Sequence, residues 1–406
     1  MKQDAIHIQN QESKIARWSL LIGILFISSN LRVPLTSVGS LLSQIRDDLG
    51  INHTIAGSLT TIPLLAFFLV SPFVYVVAKR LGMEWTIFYS FLLLIIGLIV
   101  RTLSDVVLLM SGTALIGVAI TFGNVLLPGL IKLKFPSHIG LYTGLYAVCM
   151  YILGALAAGV SVPLSRMSEW GWRGSLLAWT MLSIIALLCW IPQLRNKTGI
   201  RKGKDAGPTV QNNVWKSPLA WNITLYMGIQ SMVFFTMVSW LPDILKSFGY
   251  PSDVAGWMLS LLQMAFVPFT FITPLIAEKL KDQRLLSAII GVIIIFGVGG
   301  LLVGNPIIIA LAIICIGGAC GAAFSLCMMF FSLRTNDGQE TAQMSGMAQS
   351  IGYFIAAVGP ILLGFIHDIT NSWSLPIIIL GVASIFLIIT GIKSGTNKKI
   401  EVPKTA

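Results

Sequence analysis

An arginine at position 32 lies inside an apolar run that begins at Trp18 and continues to residue 43. Fourteen residues of helix at 1.5 Å rise place it about 21 Å along the axis. That is deep within a hydrocarbon layer about 30 Å thick. A guanidinium there costs about 2.5 to 3.5 kcal/mol on insertion scales, so such a group faces a cavity and marks a solute path. Its planar fork of donors suits planar oxygens, which points to a cargo that is anionic or carries a strong acceptor group. The structural alternative is an Arg that bonds carbonyls loosened by Pro34, two residues on.

Other polar and aromatic side chains occupy similar apolar surroundings. Gln230 both donates and accepts, and Phe234 lies one turn further on the same helical face. Gln349 and Tyr353 repeat that four-residue spacing. Asn124 precedes Pro128 by one turn, which predicts a kink. For Gln230, Asn124, Gln349 and Tyr353 the alternative to lining a cavity is a hydrogen bond or polar seam between packed helices. Tyr146, Tyr151 and Trp240 are candidates too, against the commoner role of aromatic side chains in packing and interface anchoring.

Missing groups narrow the chemistry. All 16 acidic residues fall in tails, loops or at the ends of apolar runs, so no carboxylate is expected in mid-membrane as a proton carrier. The histidines, His7, His53, His138 and His367, are scattered over a tail and three loops, which argues against a membrane enzyme with clustered catalytic groups. His367 beside Asp368 titrates in a useful range, but a solvated loop histidine is the ordinary case. The five cysteines sit inside apolar runs as small packing residues, leaving no disulfide framework and no metal motif. No cofactor is implied.

The elements that position these residues follow from composition. The chain of 406 residues is 55% hydrophobic and 11% charged, with a mean hydropathy of +0.85, so its solvent is lipid. Twelve apolar stretches reach bilayer length, at 18–43, 54–78, 85–104, 106–131, 139–165, 174–193, 218–242, 254–277, 285–303, 306–331, 341–366 and 374–392. The first is too long for the apolar core of a signal peptide and is expected to stay as a span. Most of the 27 Lys and Arg residues fall in the tails and even-numbered loops, which predicts cytoplasmic termini. The net charge of +11 is therefore a topological signal, and nucleic acid is not an expected partner.

The connection 194–217, with Arg195, Lys197, Arg201, Lys202 and Lys204 among Gly, Asn and Pro, marks a seam. It divides an N-terminal six-helix half, 1–193, from a C-terminal half, 218–393, followed by a tail, 394–406. An offset of 199 residues lays Leu49-Gly50 and Ala56-Gly57 on Phe248-Gly249 and Ala255-Gly256, and Val77-Ala78 with Leu81 on Ile276-Ala277 with Leu280. A slightly longer offset lays Thr143-Gly144 and Tyr151 on Ser345-Gly346 and Tyr353. Such duplication is the pattern of carriers whose site lies near the midplane between repeats, and it disfavours a channel. The first offset also brings Gln230 onto Leu31, so Gln230 and Arg32 are expected at similar depth in opposite halves.

Four runs carry a resemblance to a known family. Asn30-Leu31-Arg32-Val33-Pro34-Leu35-Thr36-Ser37-Val38-Gly39, Gly123-Asn124-Val125-Leu126-Leu127-Pro128, Gly228-Ile229-Gln230 with Trp240-Leu241-Pro242, and Ser345-Gly346-Met347-Ala348-Gln349-Ser350-Ile351-Gly352-Tyr353 resemble the cyanate permease and 2-nitroimidazole transporter branch of the major facilitator superfamily. The resemblance implies an all-α fold of twelve transmembrane helices in two pseudo-symmetric halves. It also implies a small-molecule substrate carried by alternating access in a bacterial cytoplasmic membrane, by a monomer. Asn30, Thr36 and Gln263 join the residues above as candidate substrate contacts. One departure is visible: the loop after the second span reads Ala78-Lys79-Arg80-Leu81-Gly82-Met83-Glu84, which departs from the Gly-rich, Arg-rich motif with its acidic gating latch that is usual in the superfamily. The rival within transport is an exporter of neutral or cationic drug-like compounds, which a buried acid would favour and a buried Arg does not.

Overall fold

The computed structural model describes residues 17–51, 53–103, 105–195 and 214–401, and these are helical with no strand among them. Most of the connection 194–217, both extreme termini and the basic residues they contain lie outside the described residues. Twelve helical segments are long and apolar enough to cross a membrane, from Arg17–Leu42 to Ser374–Ser394. The protein is a multi-pass membrane protein. Large apolar side chains such as Leu69, Phe73, Trp257, Phe296 and Ile361 stay exposed along these spans, a surface that only lipid tolerates.

Thirteen helices make up the twelve spans, because the first span is broken. Helix α1 covers residues 17–30 and α2 covers Val33–Leu49. Then follow α3 (His53–Leu81), α4 (Met83–Val100), α5 (Val106–Lys134), α6 (Ile139–Met167) and α7 (Gly171–Trp190). The later spans are α8 (Pro218–Ser247), α9 (Ser252–Lys279), α10 (Arg284–Gly300), α11 (Pro306–Leu333), α12 (Gly338–Thr370) and α13 (Ser374–Ser394).

Local chemistry sets the boundaries. Asn305 caps α11 by accepting from the amides of Ile307 and Ile308, with Pro306 in the first turn where its missing N–H costs nothing. Asp337 caps α12 in the same way, and Asn371 ends it with φ of 49°. Among the described residues proline remains inside six of the helices: Pro63 and Pro72 in α3, Pro128 in α5, Pro163 in α6, Pro242 in α8, Pro268 and Pro274 in α9, and Pro360 in α12. Each frees the carbonyl four residues back, which neighbouring side chains must satisfy in lipid.

The helices form two compact units. The first takes the described residues of Met1–Ala66, Val76–Leu127 and Cys149–Thr209, with α7 packed on both α2 and α4. The second takes Phe67–Tyr75, Pro128–Val148 and the described residues of Val210–Ala406. In it α8 packs on α12 and α13, and α9 on α11. Helices α3, α5 and α6 each contribute to both units.

Candidate functional site

In the first unit the break in span one is the central feature. Pro34 has no N–H to give to the carbonyl of Asn30, and its ring crowds that turn. The helix stops after Asn30, turns through Leu31 and Arg32, and restarts at Val33. Leu31 N donates to Ser28 O at 3.1 Å, and Leu35 N and Thr36 N both donate to Arg32 O at 3.0 and 3.1 Å. Arg32 is thus the residue that precedes a new helical N-terminus inside the membrane, where backbone amides and the helix dipole favour negative charge.

The side chains around the break fall into two sets. Arg32 is half-buried; its Nη2 donates to Tyr151 Oη at 3.3 Å, and its guanidinium carbon lies 4.9 Å from the Tyr151 ring centroid. Thr36 Oγ1 donates to Gly154 O at 2.8 Å. A Cβ at Gly154 would come within 2.9 Å of Arg32 Cβ, so the glycine is what lets α6 approach the break. Asn30 belongs to the second set. It is buried, donates to Phe26 O at 2.8 Å, and accepts from Ser183 Oγ at 2.6 Å. Asn124, also in this unit, donates to Ile120 O at 3.3 Å, four residues back on α5. Of the candidates in the first unit, the geometry brings Arg32, Thr36 and Tyr151 together, and it turns Asn30 toward α7.

The second unit gathers a mostly aromatic set. Gln230 is buried and donates to Ser231 Oγ at 2.7 Å. Phe234 lies 4.8 Å from Phe266 with the rings tilted, and Tyr353 lies 4.6 Å from Phe67 and 6.4 Å from Phe235. Gln349 donates to Ser345 Oγ at 2.8 Å, one turn back on α12. Tyr146 is buried, and Trp240 donates to Pro360 O at 2.8 Å, which ties α8 to α12. Gln263 on α9 is exposed.

Several charged groups at or beyond the ends of the spans turn back onto the protein, and Arg101, Arg334, Glu84 and Glu340 are buried. Arg101 is the C-cap of α4, is 1% exposed, and donates from Nη1 to Pro34 O at 2.7 Å. Lys132, near the end of α5, donates to Ser332 O at 2.6 Å, Thr335 O at 2.5 Å and Thr335 Oγ1 at 2.8 Å, capping the C-terminal carbonyls of α11. Lys399 reaches the same Thr335 carbonyl at 2.6 Å, and burial lowers its ammonium below the usual lysine range while Glu340 opposes the shift. Arg334 bonds Gln283, Ser394 O and Gly395 O. Glu84 and Glu340 sit at helix ends as expected, but their side chains are buried. Hydropathy along the chain carries no signal for these, because a cation one residue past a span can fold back into it.

A twelve-span fold with an arginine at an interrupted first span defines a polytopic carrier. The chain belongs to the Major Facilitator Superfamily, whose family model matches residues 20–358. It is 42% identical over 391 residues to a Bacillus subtilis protein described as an uncharacterized transporter, covering 95% of this chain and 96% of that one. It is 39% identical over 381 residues to the 2-nitroimidazole transporter of Escherichia coli, covering 94% and 96%. It is 24% identical over 355 residues to the cyanate transport protein of the same organism, covering 87% and 91%. The fold matches that of the E. coli fucose:proton symporter with a TM-score of 0.72 at 14% identity, over 93% of this chain and 98% of that one. The protein is a membrane transporter of this superfamily.

Proposed function

We propose that this transporter moves a small planar solute, anionic or bearing a strong acceptor such as a nitro group, by alternating access of the halves 1–193 and 218–393. The membrane in this reading is a bacterial cytoplasmic membrane, and a single copy suffices. The observation that carries the proposal is Arg32, half-buried at the helix break, donating to Tyr151 and paired to no carboxylate among the described residues. Its remaining donors suit two coplanar oxygens. The relatives that carry 2-nitroimidazole and cyanate support this class of cargo. Gln230, Phe234 and Tyr353 supply the hydrogen bonding and aromatic stacking expected for a flat ring. Coupling proceeds without a carboxylate in mid-membrane, since the buried acids Glu84 and Glu340 lie in first turns of their helices.

Counterflow in proteoliposomes tests the reading. Labelled 2-nitroimidazole or cyanate should accumulate against an unlabelled internal pool and saturate. Counterflow of a lipophilic quaternary ammonium instead of both would replace this reading with a drug exporter, and single-channel currents would replace it with a pore.

A further inference from the structure

The carbonyl of Pro34 belongs to the first turn of α2, two residues beyond Arg32. Arg101 Nη1 donates to it at 2.7 Å across 67 residues of sequence. The other guanidinium nitrogens of Arg101, Nε and Nη2, meet no acceptor among the described residues, so this carbonyl is the one acceptor the side chain reaches there. Arg101 is 1% exposed, and a guanidinium is costly to bury. Its backbone is held as well. Arg101 N donates to Gly97 O at 3.0 Å at the end of α4. Helix α5 backs onto it through Gly112, where a Cβ would lie 2.4 Å from Arg101 N and 2.7 Å from Arg101 Cα. A Cβ at Gly97 would in turn meet Gly112 O at 3.0 Å, so α4 and α5 are in close backbone contact one turn before Arg101. A second restraint on the same turn of α2 comes from α6: Thr36 Oγ1 donates to Gly154 O at 2.8 Å, and a Cβ at Gly154 would come within 2.9 Å of Arg32 Cβ. Arg32 O accepts from both Leu35 N and Thr36 N, so a shift of that turn is carried to Arg32.

Pro34 gives no N–H to the turn before it, so the helix ladder does not fix the direction in which α2 leaves α1. Contacts from neighbouring helices must fix it instead. From these contacts we infer that Arg101 is a positioning residue for the cargo site. By holding the Pro34 carbonyl against the end of α4, it fixes the first turn of α2 and with it the place of the Arg32 guanidinium. The inference rests on the reading of Arg32 as the cargo anchor. A charged donor suits the task, because a charge-assisted hydrogen bond is stronger than a neutral one and is strengthened again by dry surroundings. Placement matters because a recognition group held about 1 Å out of position loses much of its effect.

Hydrogen exchange of the full-length protein in detergent, and counterflow of 2-nitroimidazole and cyanate in proteoliposomes, test the role together. Arg101→Met keeps an apolar stem and removes the donors. It should speed amide exchange in the segment 31–38 several-fold while α12 exchanges at the parent rate, a local effect that a general loss of stability would not produce. It should raise the half-saturation concentration about 10-fold, less than Arg32→Ala because the anchor itself remains, with a much smaller change in maximal rate. Arg101→Lys, which keeps a charged donor, should recover part of both. In the Arg32→Ala background Arg101→Met should add no further loss of affinity, because it acts through the side chain already removed. Parent-like exchange at 31–38 in Arg101→Met would overturn the role. So would additive losses in the double variant, or faster exchange with unchanged half-saturation where Arg32→Ala does raise it. If the parent carries neither probe, or Arg32→Ala leaves half-saturation unchanged, it is the cargo reading that fails, and the positioning role falls with it. If Arg101→Met does not fold, Gly112→Ala displaces the same arginine from the α5 side, and parent-like exchange and half-saturation in that variant are the overturning result.

Discussion

Ser183 donates its hydroxyl to Oδ1 of Asn30 at 2.6 Å, joining α7 to the last turn of α1 immediately before the first span breaks. The bond is buried and spans 153 residues of sequence. The same Asn30 gives an N–H back to Phe26 O, so one amide finishes α1 and docks α7. Asn30→Leu keeps the volume but strands the Ser183 hydroxyl, which should cost about 1 to 3 kcal/mol. The thermal midpoint in detergent measures it. Adding Ser183→Ala should recover part of the loss, because both partners are then apolar; a double variant as unstable as the sum of the singles would show that the bond contributes nothing.

Arg32→Ala should weaken cargo binding by about 2 to 5 kcal/mol, more than about 30-fold, because a charge-assisted contact in a desolvated site is lost. Arg32→Lys keeps the charge but loses the planar fork, so affinity should fall sharply while the protein still folds. Gln230→Ala should cost only about 0.5 to 1.5 kcal/mol. Ligand affinity of monodisperse variants is the measurement. If Arg32→Ala binds 2-nitroimidazole and cyanate like the parent while its stability collapses, the residue is a backbone clamp.

Gly129 on α5 and Gly338 on α12 face each other so closely that each is the other's barrier to a side chain. A Cβ at Gly129 would meet Gly338 O at 2.5 Å, and one at Gly338 would meet Gly129 O at 2.6 Å. Lys132 closes the same contact one turn on by capping α11. A carbonyl cannot yield as a flexible side chain can, so Gly129→Ala or Gly338→Ala should pry these helix ends apart. A cysteine at Leu133 should then be modified at least several-fold faster by a soluble maleimide than in the parent background. Equal rates would show that the backbone accommodates the methyl group.

Single substitutions of the acids should leave counterflow largely intact if no carboxylate carries the coupling proton. Glu278→Gln is the sharpest case, because its Oε2 lies 2.7 Å from where a Cβ on Gly140 would sit, at the first turn of α6. Loss of counterflow in that variant at normal expression would reveal a carboxylate-dependent gate. Asp368→Asn and Glu340→Gln extend the test to the other end of α12 and to its buried first turn.

The distribution of Lys and Arg predicts cytoplasmic termini and a cytoplasmic connection at 194–217. A cysteine at Lys202 should resist a membrane-impermeant reagent in intact cells and react after permeabilisation. Reaction from outside would invert the whole assignment.

What the sequence determined by itself was whatever depends on counting along the chain. Transfer to lipid is additive over about 20 residues, so the twelve spans and their order were legible from hydropathy and helical rise. The four runs around Arg32, Asn124, Gln230 and Gln349 carried the family resemblance for the same reason: local backbone needs, such as Pro34 after Arg32, are written locally. Tertiary structure alone decided which way each side chain turns and what it meets. Asn30 and Gln263 entered alike as candidate substrate contacts, yet Asn30 is buried and bonds Ser183 while Gln263 is exposed. Arg101 and Lys132, at the ends of their spans, fold back onto the carbonyls of Pro34 and Thr335, 67 and 203 residues away in sequence. No periodicity records such partners, because a helix repeats its own face every 3.6 residues and carries no mark of the helix that will cover it.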